Sequence, residues 1–470
     1  MGHPSQNSYL RRPFFEKNLK QIMLLVQAKK TLKLAFPIIL GEVAQMSLGI
    51  IDTAMVGAVS YKQLAAAALV MSVINIPYVF GIGITISVSQ MVSMANGRRD
   101  KKLVSHYLYN GFWVCAISAV IISLAIELSK NILFHLDQDP IVAQLALPYL
   151  QIMGWSVIPM LLFLALKQFT DGLEHTKTAM ILSLSALPIN AFLNWLFIYG
   201  NWEFPRMELV GAGWGTLITR ILIFIVLGLI ILYHRTFRRY VAVRSIVWKL
   251  KWHTIKELLD IGIPSSFQIT MEAGAFAISG ILIGTIGAVE QAAHQIALSI
   301  ASLTFMVSMG LSQAGSIRAS NTFGRNDWPL INAIGKSTIV MALIYGTFCA
   351  SIFILFRFQL PYVFNDDAEV VSMSAYLLLF AALFQISDST QAISAGLLRG
   401  IKDVKVPTVF IAIAYWAIGI PVGCLLAFYF KMGAAGIWTG FIAGLTFSAG
   451  FLSFRFKKMV QKSVALEKLD

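Results

Sequence analysis

Apolar residues fill the chain in about twelve long runs, each separated from the next by a short polar or basic segment. The runs cover 32–59, 69–95, 107–128, 141–166, 178–199, 209–233, 258–287, 292–317, 331–356, 371–398, 406–430 and 433–454. A helix needs roughly 20 predominantly apolar residues to cross the hydrocarbon core of a bilayer, and every run is about that long or longer. Backbone groups in lipid must be satisfied within the segment, so the runs are expected to be helices. The pattern predicts an all-α polytopic membrane protein with twelve transmembrane helices.

The pattern also repeats. Leu34 to Val59 resembles Leu259 to Val289, with Pro37 matching Pro264 and Gly57-Ala58-Val59 matching Gly287-Ala288-Val289. Ser89-Gln90 followed by Gly97-Arg98 and Asp100 recurs as Ser312-Gln313 followed by Gly324-Arg325 and Asp327. Gln168 with Gly172-Leu173 recurs as Gln391 with Gly396-Leu397, and Gly211-Ala212 as Gly433-Ala434. A nearly constant separation across the whole chain marks a duplication. Six spans per repeat is an even number, so both halves enter from the same side and are expected to form two six-helix lobes about a pseudo-twofold axis along the membrane normal. Parallel repeats of that kind place a transport site between the halves near the midplane. The expected organisation is an N-terminal arm (1–31), an N-lobe (32–234), a basic linker (235–257), a C-lobe (258–455) and a tail (456–470). In the linker, Trp248 and Trp252 among lysines suit an amphipathic helix lying on the membrane surface.

Composition agrees: 57% of the residues are hydrophobic and 13% charged, with mean hydropathy +0.73, which excludes a soluble fold. The net charge of +14 does not point to nucleic acid, because the basic residues sit in short clusters between apolar runs. Of 37 lysines and arginines, only Lys62, Lys130, Arg206, Arg357 and Lys431 fall in outside loops, if the N-terminus is cytoplasmic; Arg220 lies in the middle of a run, and Lys33 and Lys336 lie toward the inner ends of theirs. That bias places both termini inside. Cys115, Cys349 and Cys424 are widely spaced in apolar surroundings, so neither a disulfide framework nor a zinc site is expected. The first thirty residues are polar and basic apart from Ile22 to Val26, so no cleavable leader is expected and the first span directs insertion.

Four carboxylates lie well inside the apolar runs, Glu42, Asp52, Glu272 and Asp388, whereas Glu127 and Asp260 fall within three residues of a run's end. Unpaired and charged at mid-membrane they would cost on the order of 10 kcal/mol together, so pairing, protonation or a wet cavity is required. Glu272 and Asp388 fall near mid-depth and Asp52 in the outer half of its span. Glu42 lies toward the inner end and is expected to be structural, reaching the interface. Asn190 and Asn194 stand four residues apart, on one helix face. Beside a carboxylate they would hydrogen-bond a neutral acid or offer oxygens to a small cation such as sodium; helix-to-helix bonding is the plain alternative. Thr216 could reach the same pocket. Gly211 to Gly215 and the Gly280-xxx-Gly284 spacing suit close helix packing. Pro37 and Pro264, at matching places, are candidate bending points. His294 is expected to be packed and hydrogen-bonded.

PIILGEVAQMSLGIIDTAMVG in the first span, SVSQMVSMANGRRD after the second, AAHQIALSIASLTFMVSMGLSQAGSIRASNTFGRND across the eighth and SDSTQAISAGLLRGIKD after the tenth closely resemble the multidrug and toxic compound extrusion (MATE) family, in its NorM-like bacterial branch. The resemblance covers nearly the whole chain. It implies export of organic cations by antiport with sodium or protons, with no cofactor and no catalysis, by a monomer in the bacterial inner membrane. On this resemblance Asp52 looks like the N-lobe coupling carboxylate with Asn190, Asn194 and Thr216 as polar companions, and Glu272 and Asp388 look like the C-lobe acids. Asn194 stands where some relatives have aspartate, which tells against a proton relay through two paired N-lobe acids.

Two rivals predict other residues. A flippase for lipid-linked precursors would be expected to line its cavity with arginine and lysine, and an intramembrane enzyme would show clustered aspartates or a His-Glu zinc motif. The runs show neither pattern.

Overall fold

The computed structural model describes residues 7–135, 139–241 and 250–467, with side chains described from Gln21 onward. Twelve helices among them are long and apolar enough to cross a membrane. They are α1 (Asn7–Gly57), α2 (Tyr61–Gly97), α3 (Lys101–Leu128), α4 (Pro140–Gly172), α5 (Thr176–Tyr199), α6 (Glu208–Tyr233), α7 (Trp252–Gly284), α8 (Ala288–Gly324), α9 (Trp328–Leu355), α10 (Ala368–Gly400), α11 (Lys405–Tyr429) and α12 (Ala434–Glu467). No strand occurs among the described residues. An even number of spans puts the start of α1 and the end of α12 on one side, called here the terminal face. Helix α1 runs unbroken through position 31 and α12 through position 455, so neither the arm nor the tail is separated from its span. In the linker, Arg235–Val241 is a short helix with Phe237 and Tyr240 buried; Trp248 lies outside the described residues, and Trp252 is exposed at the start of α7.

Two hydrophobic cores divide the molecule, one built mainly from α2 to α6 and one from α8 to α12. The terminal-face parts of α1 and α7 cross over. Leu34, Ala35 and Ile38 of α1 pack in the second core, and Leu258 and Ile261 of α7 pack in the first. Each half is thereby stitched into the other.

The repeated sequence motifs have local causes. Gly97 and Gly324 end α2 and α8; the chain then turns through a left-handed residue, Arg99 (φ 58) or Asn326 (φ 59). Asp100 and Asp327 next cap α3 and α9 by accepting from Leu103 N at 3.0 Å and Leu330 N at 2.9 Å. The glutamine of each Ser-Gln pair serves the seam between halves, while Ser89 and Ser312 bond within their own halves. Gln90 Oε1 accepts from Ser316 Oγ at 3.0 Å and Ser320 Oγ at 2.6 Å, while Gln313 Nε2 donates to Gln168 Oε1 at 2.9 Å. Ser93 Oγ donates to Ile317 O at 2.8 Å. Toward mid-depth the seam finishes at Ser266, whose hydroxyl donates to Phe80 O at 2.7 Å, and at the edge-on ring pair Phe80 and Phe267. Every hydrogen bond between the halves among the described residues lies in the portions of the helices toward the terminal face.

Two glycines make this seam possible. A Cβ on Gly97 would collide with the Asn321 carbonyl, and one on Gly324 with the Met94 carbonyl, the same contact made in both directions. Overpacking of this kind costs about 1–3 kcal/mol. Gly324→Ala is therefore expected to loosen the seam, seen as thiol labelling from the terminal face, at a cysteine introduced in place of Ser320, that is roughly tenfold faster. Equal labelling rates with and without the methyl would show that the seam absorbs it.

Candidate functional site

Beyond the seam, toward the opposite face, each half holds a buried acidic cluster. In the first half, α1 brings Asp52 against α5 and α6. Asn190 and Asn194, one turn apart on α5, both turn inward and are fully buried, and Asp52 is only 9% exposed. Asn194 Nδ2 donates to Asp52 Oδ1 at 2.6 Å and reaches Asn190 Oδ1 at 3.2 Å. Thr216 Oγ1 donates to Asp52 Oδ2 at 2.8 Å, and Asn190 Nδ2 donates to Thr216 Oγ1 at 3.3 Å. The close approach depends on Gly215, where a Cβ would press on the Asn194 side-chain oxygen. That oxygen, Asn194 Oδ1, is buried without a partner. A carboxylate, two amides and a hydroxyl converge here, and their oxygens are of the hard type that sodium takes.

In the second half, Glu272 of α7 faces Asp388 of α10 and Tyr415 of α11. Tyr415 lies in a π-helical stretch, Ile413–Gly419, and a second such stretch, Leu425–Tyr429, follows. Gly444 of α12 accommodates the wider turn, since a Cβ there would meet the Ala414 carbonyl. The π turn aims Tyr415 Oη at Glu272 Oε1, 3.2 Å away, and Trp416 Nε1 at the Met271 carbonyl, 3.1 Å away. Such bulges occur often at functional sites. Asp388 is 2% exposed, has no hydrogen-bonding partner among the described residues, and is an electrostatic neighbour of Glu272. One turn earlier on α10, Gln385 is wholly buried with both side-chain polar atoms unpartnered. Aromatic rings wall the cluster: Phe276 contacts Tyr415, Phe384 and Phe441, and Phe384 contacts Trp438.

The family model for MatE matches the chain twice, at residues 37–196 and 264–425. The chain belongs to the MatE family. Its curated relatives include the probable multidrug resistance protein NorM of Mesorhizobium japonicum, 32% identical over 91% of this chain and 93% of that protein. The multidrug resistance protein MdtK of Yersinia pseudotuberculosis is 31% identical over 94% of this chain and 97% of its own length. Among solved structures, the eukaryotic MATE transporter AtDTX14 superposes with a TM-score of 0.84 at 22% identity, covering 94% of this chain and 99% of that one. A MATE structure in the bent conformation gives 0.86 at 17% identity, covering 95% and 98%. The MATE fold inferred from sequence motifs is thus the fold observed.

Several readings change in three dimensions. Glu42 is paired inside the helices: Lys167 Nζ donates to its Oε1 at 2.6 Å, and Lys167 is itself 2% exposed within α4 rather than in a loop. Arg318 and Arg399 likewise lie in helices α8 and α10, so Arg220 is not alone among cations in the spans. Arg220 donates to Ser156 Oγ at 2.6 Å, and Arg318 is tied to Gln27 and Thr31. His294 is packed edge-on to Trp438 at 5.8 Å, but neither ring nitrogen has a hydrogen-bond partner. Gly280 packs against nothing within 4 Å and Gly284 meets only the Gln291 side chain, whereas Gly211 comes against the backbone of Phe197; only the motif at Gly211 brings helix backbones together. All three cysteines are free. Pro37 and Pro264 sit inside continuous helices, with Thr408 Oγ1 donating to the Pro264 carbonyl at 3.0 Å.

Proposed function

We propose that this protein exports lipophilic organic cations from a bacterial cell by antiport with sodium or protons, its two halves rocking about the site between them. The observation that carries the reading is the presence of one buried acidic cluster in each half of a MatE chain whose halves, among the described residues, are hydrogen-bonded to each other toward one face. Buried carboxylates in a membrane must be neutralised, and a proton, a sodium ion or an organic cation would each do so. Competition among them for the same negative charge is what exchange requires, since a ligand that binds both states equally shifts neither.

In this scheme Asp52, Asn190, Asn194 and Thr216 hold the coupling ion in the first half, with the idle Asn194 oxygen available to sodium. Glu272 and Asp388 take an ion or the charged group of the substrate in the second half, and the rings of Phe276, Phe384 and Tyr415 offer faces to a flat cation. Pro37 and Pro264 are the bending points. The terminal face is cytoplasmic by the distribution of basic residues, the membrane is the bacterial inner membrane, and the working unit is a monomer. The names of the NorM and MdtK relatives support drug export; no observation favours the movement of lipid-linked precursors, and none favours an enzymatic reaction.

Ethidium efflux from vesicles, with sodium and proton gradients imposed separately, tests the proposal. One gradient is expected to drive efflux, because each unit charge moved along 100 mV of potential contributes about 2.3 kcal/mol. Efflux indifferent to both gradients would refute antiport.

A further inference from the structure

A cavity of about 570 Å³ opens at the terminal face between the two halves. Its charged lining comes from both: Lys30 and Lys33 of α1, His175 and Lys177 at the start of α5, and Arg318 and Arg325 of α8. The single acidic residue in the lining is Glu174. Lys30, Lys33, Lys177 and Arg325 make no ion pair or hydrogen bond among the described side chains, so four unpaired cations from two halves line one cavity with a single carboxylate among them. Arg318 spends its donors on Gln27 and Thr31, which fixes its charge in the wall. Partial burial, with Arg239 beside it, holds the His175 imidazole below its ordinary value, leaving a neutral ring that can donate or accept. Helix α5 begins here with no side-chain cap bond from His175, so the amides of its first turn lack that acceptor.

Like charges lining one cavity repel, and their repulsion acts to part the halves at the very seam that the glutamines and glycines close. An anion between them reverses the sign of that force. The shape favours a phosphate on a larger body: beside the lysines the wall carries Leu34, Pro37 and Leu330, and α1 continues away from the cavity with Ile22, Met23, Leu25 and Val26 exposed. Basic residues next to an exposed apolar helix face are how a protein meets an anionic membrane surface.

We propose that this cavity binds a phosphate group, carried by an anionic phospholipid or free in solution, and that the bound phosphate ties the two halves together at the terminal face. The site is separate from the acidic clusters and does not depend on what the protein transports.

The test uses the full chain in nanodiscs of phosphatidylcholine alone, of phosphatidylcholine with phosphatidylglycerol, or of phosphatidylcholine with added inorganic phosphate. The thermal unfolding midpoint is expected to rise saturably with phosphatidylglycerol, with phosphate, or with both. A response to the lipid alone identifies a headgroup site, and a response to phosphate alone a soluble-anion site. In the variant carrying both Lys33→Gln and Arg325→Gln, at two exposed positions, apparent affinity should fall about thirtyfold. Lys62→Gln, at the opposite face, should leave it unchanged. The bound anion should also slow thiol labelling at the seam. No rise with either anion, or a double variant that responds like the parent, overturns the proposal.

Discussion

Replacing Glu272 with glutamine, or Asp388 with asparagine, is expected to bring gradient-driven ethidium efflux down to the level of empty vesicles while the protein still inserts and purifies as a folded species. Both substitutions keep the shape of the side chain and remove its charge. Neither residue sits in a hydrogen-bonded ion pair: Asp388 has no hydrogen-bonding partner among the described residues, and Glu272 accepts one bond, from Tyr415 at 3.2 Å, with the buried Arg399 guanidinium only an electrostatic neighbour beyond bonding distance. Neutral amides here should therefore relieve a desolvation penalty more than they break contacts. What they remove is the charge for which ion and substrate compete. A cation that no longer finds a carboxylate at mid-membrane loses the favourable end point of its path, and coupling fails even though the cavity remains. If either variant exports ethidium at the parental rate, the second-half cluster is not the coupling site. Tyr415→Phe separates the parts further: it deletes the hydroxyl bond but keeps both acids, so efflux should survive with altered dependence on pH.

The spans, the duplication and the first-half cluster were all legible in the chain because each is written in local spacing. Asn190 and Asn194 at a separation of four must share a helix face, and an aspartate in an apolar run must find partners, so their meeting at 2.6 Å follows from few assumptions. The Gly-Arg-x-Asp repeat announces a helix end and a cap. Other features depend on contacts between distant positions and left no such trace. Tyr415 sits in the apolar string AYWAIG, and nothing in its spacing shows that α11 widens into a π turn there to reach Glu272. The exchange of α1 and α7 between the two cores is equally silent, because both stretches are apolar whichever core receives them. Hydropathy also misplaced Lys167, since a lysine just after an apolar run reads as the start of a loop. Burial could be recognised only once Glu42, far away in sequence, was seen beside it.

That pair supplies the sharpest stability prediction. Lys167 lies between Glu42, bonded at 2.6 Å, and Asp171, a carboxylate 1% exposed on the next turn of α4 with Oδ1 unpartnered. One ammonium thus compensates two acids, Asp171 buried and Glu42 part-buried, and its stem carries no other bond. Lys167→Met fills the same space and leaves both carboxylates without their cation. Breaking a buried pair from one side costs about 3–5 kcal/mol, because the remaining charge stays in a poorly solvated site. The detergent-solubilised variant should accordingly unfold at a markedly lower temperature than the parent. Adding Glu42→Gln to Lys167→Met should recover a large part of the loss, since it removes the stranded charge instead of restoring the bond. Recovery distinguishes an electrostatic cause from poor packing of the methionine, which the second substitution would not mend. Because Asp171 also receives a long contact of 3.5 Å from Gln313 across the seam, the single variant should in addition label faster at the seam. A Lys167→Met protein as stable as its parent would mean that water, not the lysine, solvates these acids.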